Sequence, residues 1–164
     1  MQQQQQQDTT QPTILLVEDD DDTRRVYSLM LRHAGFRVIE AATGQDAVRC
    51  ALEQTPDLIL MDMNLPMLDG WEAARRIKAD ARAGAAPLLA FSALIDSIAD
   101  LRRHAALFDG FIAKPVSPAE LVRRVAAYVD LIAPGIRKPV EPARVNRGRR
   151  EPSDRGAQAG TALQ

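Results

Sequence analysis

From Thr13 to about Ile132, short apolar runs alternate with longer stretches in which apolar residues recur every three or four positions. Ile14-Leu-Leu-Val17 and Leu58 to Met61 are continuously apolar, as expected of parallel strands covered on both faces. Arg37 to Ala41 reads as a weaker second strand, Pro87 to Phe91 as a fourth and Gly110 to Ala113 as a fifth. Helical stretches fall between them. Val26, Leu29 and Met30 stand at helical spacing ahead of Gly35, a natural helix stop. Thr43 is placed to cap a second helix whose apolar side is Ala47, Val48, Ala51 and Leu52. Trp71 to Ala79 and about Ile95 to Ala105 make the third and fourth. The last helix has the clearest start, because Ser117-Pro118-Ala119-Glu120 combines a capping hydroxyl, proline at the first helical position and glutamate at the third. Leu121, Val122, Val125 and Val129 form its predicted buried stripe.

Five strands alternating with five helices predict an α/β domain, a doubly wound parallel sheet with helices on both faces. In the flavodoxin-like version the strand order is 2-1-3-4-5, and ligands bind beyond the carboxyl ends of strands 1 and 3. The residues just after Val17 and Met61 then face each other across that crevice.

The flanks differ in composition. Residues 1–12 open with a glutamine run, Gln2 to Gln7, and offer little apolar surface, so they read as a disordered tail. Residues 133–164 are rich in proline and arginine and keep no apolar period, which predicts a second disordered tail after a folded unit spanning 13–132. That tail has no aromatic residue for stacking, so nucleic-acid binding is not expected. The formal charge of -1 points to neither nucleic acid nor a membrane surface. No apolar run exceeds strand length, so no membrane insertion is expected. The single cysteine, Cys50, cannot form an internal disulfide; it fits a reducing cytoplasm and reads as a buried, inert thiol.

Chemistry concentrates at the strand ends. The first strand ends in Glu18-Asp19 and the third in Asp62, which brings three carboxylates into one crevice. Like charges held so closely need a neutralising cation. Magnesium suits them, because it takes one or two carboxylates, keeps water ligands and engages phosphate oxygens. Ser92 ends the fourth strand and Lys114 follows the fifth, adding a hydroxyl and a compact positive charge. Such a set supports phosphoryl transfer to a carboxylate nucleophile, with Asp62 the best candidate. Asp20, Asp21 and Asp22 belong rather to the loop and cap of the first helix.

Ile14-Leu-Leu-Val-Glu-Asp19, Met61-Asp-Met-Asn-Leu-Pro-Met-Leu-Asp-Gly70, Phe91-Ser-Ala93 and Phe111-Ile-Ala-Lys-Pro115, in this order and spacing, resemble the receiver domain of two-component response regulators, CheY-like in type. The resemblance implies that Asp62 is the phosphoacceptor. It implies that Asp19, Asp62 and the backbone carbonyl of Asn64 ligate magnesium, with Glu18 acting through a bound water. Ser92 would turn to the phosphoryl group, Lys114 would pair with it, and Phe111 would follow the movement of Ser92. The Lys114-Pro115 bond is expected to be cis. Leu107 and Phe108 stand where the family usually has glycine and alanine, which bears on the switching face around the fourth helix, fifth strand and last helix.

The expectation is a stand-alone, single-domain response regulator, cytoplasmic, and not a conventional enzyme although capable of self-phosphorylation and self-dephosphorylation. Its donor would be a sensor histidine kinase or a histidine phosphotransfer protein, its output contact with a downstream protein, and its state a monomer or weak dimer. A relay intermediate or phosphate sink, and a receiver-like adaptor that works without phosphorylation, are the alternatives. A hydrolase of small phosphoesters is a more distant one.

Overall fold

The computed structural model describes residues 11–93 and 105–132. Within them five strands form one sheet: β1 (Thr13–Val17), β2 (Arg37–Ala41), β3 (Leu58–Asp62), β4 (Leu88–Ser92) and β5 (Gly110–Ala113). All neighbours are parallel and the order is β2-β1-β3-β4-β5. Four helices are described: α1 (Asp21–His33), α2 (Gly44–Gln54), α3 (Gly70–Ala79) and α4 (Pro118–Ile132). The helix expected from about Ile95 to Ala105 lies outside the described residues, save that Ala105 begins a short 3-10 turn ending at Leu107. Residues 1–10 of the expected N-terminal tail and all of the expected C-terminal one, 133–164, also lie outside them. Pro12 is already buried, and its carbonyl accepts the Arg37 N–H at 2.9 Å.

Side chains of successive strand residues point to opposite faces, and the core divides accordingly. Leu15, Val17, Ile59, Met61, Leu88 and Ala90 pack under α2 and α3, against Ala47, Ala51, Ala73, Ala74 and Ile77. Ile14, Leu16, Leu58, Leu60, Leu89, Phe91 and Ile112 pack under α1 and α4, against Tyr27, Leu31, Leu121, Val125 and Val129. Covering both faces is what makes β1, β3 and β4 read as unbroken apolar runs. Cys50 is buried in the first of these layers, and burial raises its thiol above the usual range, which keeps it protonated. Among the described residues no helix is long and apolar enough to cross a membrane.

Local chemistry sets the helix ends. Asp20 caps α1 by accepting the Thr23 N–H at 2.8 Å, and Thr43 caps α2 by accepting the Asp46 N–H at 3.1 Å. Gly35 follows α1 with a φ of +89°, the left-handed turn that glycine adopts without strain. At α4 only half of the expected capping box forms. Ser117 Oγ accepts the Glu120 N–H at 3.2 Å, but the Glu120 carboxylate turns to Arg123 and Arg124 instead of the cap.

The orientation of α1 differs from the expected one. Val26 and Leu29 are 50% and 68% exposed, and the buried residues are Tyr27, Ser28 and Leu31. Two apolar stripes compete along this helix. The one that docks carries the aromatic ring of Tyr27, which meets Phe91 edge-on at a centroid distance of 5.3 Å. The stripe on α4 is as expected at Leu121, Val125 and Val129, with Val122 partly buried at its margin.

Candidate functional site

The parallel register brings the strand ends level. Val17 pairs with Met61 and Asp62 with Phe91, so the residues after β1, at the end of β3 and at the end of β4 share one crevice. Glu18 is tied to the sheet by its N–H, which donates to Ala41 O at 3.0 Å, and its side chain is buried. Asp62 is buried as well, while Asp19 is exposed. One carboxylate oxygen from each of Glu18, Asp19 and Asp62 lies within 4.8 Å of the others.

Lys114 crosses this group from the far side. Its Nζ donates to Glu18 Oε2 at 2.5 Å and to Asp62 Oδ2 at 2.6 Å, and sits 4.5 Å from the centre of the Phe91 ring. Its backbone N–H donates to Ser92 O at 2.8 Å, which joins the end of β4 to the lysine, and the Lys114-Pro115 bond is cis. Burial lowers the ammonium's proton affinity, but the hydrogen bonds to Asp62 and Glu18 outweigh it, so Lys114 stays charged and its pKa is raised. Burial raises the Glu18 pKa, against the pull of Lys114. One lysine therefore faces three carboxylates, two of them buried. That donor set, hard oxygens with a surplus of negative charge, fits a magnesium ion.

Asn64, two residues past Asp62, is exposed, and its N–H donates to Asp62 Oδ1 at 2.9 Å. Ser92 is buried at the end of β4. Phe111, opposite Ala90 in the register, is partly buried against the layer beneath α2 and α3. Asp20, as expected, serves the helix, not the acidic cluster.

Three residues that support the site have no assigned role in the sequence reading. A Cβ on Gly70 would lie 2.4 Å from Asp62 O, so the start of α3 rests directly on the backbone of the acidic strand end. Arg24 Nη1 donates to Glu18 O at 2.8 Å and to Asp19 O at 3.4 Å. Tyr27 Oη donates to Val116 O at 3.0 Å, two residues past the lysine. Gly70 carried a signal, because a glycine directly after a capping aspartate opens a helix where alanine would be favoured. The partners of Arg24 and Tyr27 depend on which way α1 faces, and residue spacing left that open.

A doubly wound domain whose strand ends gather three carboxylates and a lysine defines the class. The chain belongs to the response regulator receiver domain family, which it matches over residues 14–126. It is 35% identical over 112 residues to the phosphate regulon transcriptional regulatory protein PhoB of Pseudomonas aeruginosa, a match covering 68% of this chain and 49% of that protein. It is 38% identical over 106 residues to the transcriptional regulatory protein AfsQ1 of Streptomyces coelicolor, covering 65% and 46%. The chain thus spans about half the length of these curated relatives. Among solved structures, it resembles the receiver domain of the sensor histidine kinase PA1611 of Pseudomonas aeruginosa, which has a magnesium ion coordinated in its active-site cleft. That likeness has 37% identity and a TM-score of 0.64, and covers 73% of this chain and 98% of the other. The chemotaxis response regulator CheY4 of Vibrio cholerae is similar at 26% identity and a TM-score of 0.66, with 73% and 98% covered.

Proposed function

We propose that this receiver domain is a phosphorylation switch whose acceptor is Asp62. The observation that carries the reading is the double bridge of Lys114 to Glu18 and Asp62, with Asp19 alongside. A half-buried lysine holding carboxylates at the ends of two strands keeps a positive charge where phosphoryl oxygens would arrive. In the transfer, an Asp62 carboxylate oxygen attacks the phosphorus of a phosphohistidine or a small acyl phosphate. The bond from phosphorus to the donor breaks with its electron pair going to the donor, a histidine donor takes up a proton, and an acyl phosphate forms on Asp62. Water attacking the same phosphorus returns the carboxylate and releases inorganic phosphate.

Glu18, Asp19, Asp62 and the Asn64 carbonyl would hold the magnesium ion, Glu18 through water. When bound, the ion supplies the second positive charge needed on the phosphoryl oxygens. Lys114 exchanges part of its bond to Asp62 for a phosphoryl oxygen. Ser92 turns its hydroxyl toward the same group, and Phe111 packs inward behind it. The result is a shift between two surface states that a partner protein reads. A histidine kinase or a histidine phosphotransfer protein serves as the donor.

The test is intact mass after incubation with acetyl phosphate, with and without magnesium, on wild type and Asp62→Asn. A magnesium-dependent gain of one phosphoryl group, absent in Asp62→Asn, is expected. No gain in folded, magnesium-binding protein would overturn the reading in favour of an adaptor that works without phosphorylation.

A further inference from the structure

We infer that Tyr27 is a positioning residue for Lys114, and that α1 is the strut that sets this lysine against the Glu18–Asp19 pair. The inference rests on the phosphotransfer reading above. Lys114 lies just past β5, one of the two edge strands of the sheet and its shortest, with four residues. An edge position leaves its backbone anchored on one side only, by the N–H bond to Ser92 O. The second anchor comes from the hydroxyl of Tyr27, which donates to Val116 O across 89 residues of sequence. The Tyr27 ring stands edge-on to Phe91, the same ring over which Lys114 Nζ sits at 4.5 Å. Tyr27 therefore touches both the segment that carries the lysine and the surface on which its side chain lies.

One turn earlier on the same helix, Arg24 holds the carbonyls of Glu18 and Asp19. Positions three apart share a helix face, so Arg24 and Tyr27 form a rigid two-point link. At one end are the acidic residues that follow β1, and at the other the lysine that faces them. Transfer to Asp62 needs the lysine and the acidic pair at a fixed spacing, and small misplacements of such groups slow reactions steeply. Packing alone does not explain the residue, because a phenylalanine would fill the same space against Phe91. The hydroxyl is what reaches the Lys114 segment.

The experiment uses the full chain as wild type, Tyr27→Phe, Lys114→Ala and the double variant. The phosphorylation rate from acetyl phosphate with magnesium is followed by intact mass, and hydrogen exchange of the peptide around residues 114–117 is measured in parallel. Tyr27→Phe is expected to phosphorylate about three- to tenfold more slowly, the range set by one hydrogen bond. Adding it to Lys114→Ala should change the rate by less than about 1.5-fold, because residues acting through one group are not additive. The 114–117 peptide should exchange faster in Tyr27→Phe at a melting temperature near that of wild type. Full multiplication of the two losses, or a wild-type rate in Tyr27→Phe, overturns the inference while leaving the acceptor reading intact. So does unchanged exchange around residues 114–117. A folded wild type that takes no phosphoryl group overturns both.

Discussion

Replacing Gly70 with alanine adds one methyl group at the point where α3 rests on the end of β3. The new Cβ would lie 2.4 Å from Asp62 O, 2.7 Å from Met63 Cα and 3.2 Å from Asp62 C. Side-chain carbons do not approach such atoms closer than 3.0 Å, so the two elements must separate by at least 0.6 Å, the difference between 3.0 and 2.4. All three neighbours are backbone, and no side-chain rotation can relieve them. Overpacking of this kind costs about 1–3 kcal/mol. Alanine's better helix propensity returns at most about 1 kcal/mol. With that full return the net loss is up to about 2 kcal/mol, a fall of up to roughly 1 M in the urea midpoint. The displacement falls on Asp62, the proposed phosphoacceptor, and a shift approaching 1 Å at a reacting group lowers rates by tenfold to about a hundredfold. Phosphorylation from acetyl phosphate should therefore slow by about tenfold or more in Gly70→Ala. Gly35→Ala is the matched control. Its φ of +89° makes alanine strained, but a Cβ there meets nothing within 4 Å. That variant should lose about 1 kcal/mol and keep the wild-type phosphorylation rate. Wild-type stability and rate in Gly70→Ala would refute the reasoning, and so would equal slowing in both variants.

Other perturbations test the core, the site and the surface separately. Leu60 is fully buried at the centre of β3, so Leu60→Ala should cost about 2–5 kcal/mol in urea unfolding. Lys114→Ala leaves Glu18 and Asp62 without their shared cation, which should lower stability by about 3 kcal/mol in chelator. Magnesium should raise the melting temperature of that variant more than that of wild type, and an equal rise would count against the shared carboxylate site. Hydrogen bonds from Arg123 and Arg124 hold the exposed Glu120 carboxyl down from 4.5 to about 2. Its contribution is complete above 4.5 and is lost as the pH falls toward 2. The small stability gap between wild type and Glu120→Gln, followed by urea midpoints, should therefore close over that interval.

The three central strands, β1, β3 and β4, were legible because each is covered on both faces, so every residue of Leu58 to Met61 had to be apolar and no phase had to be chosen. The acidic cluster followed from the same fact. Parallel strands in register end level, and a residue just past a strand end needs no further packing information to be placed. Helices carry a phase, and there residue spacing alone was insufficient. Along α1 both Val26–Leu29–Met30 and Tyr27–Leu31 satisfy helical spacing. The choice between them is made by Phe91 and Val116, which lie 64 and 89 positions away from Tyr27. At α4 the sequence offered a reciprocal cap, and two arginines one turn on compete successfully for the same carboxylate.

The residues of the candidate site were legible because their type is unusual for a strand end, and the helical residues Arg24 and Tyr27 that support them were not. Arg24 and Tyr27 are ordinary in a helix, and each acts through a backbone atom of another segment. A backbone carbonyl has no residue type, so a bond to one leaves no trace in the composition of its partner. Supporting residues of this kind become visible only once the docking face of the helix is known. The buried face of α1 therefore settles two questions together: which apolar stripe enters the core, and which groups hold Glu18, Asp19 and Lys114 at their working distances.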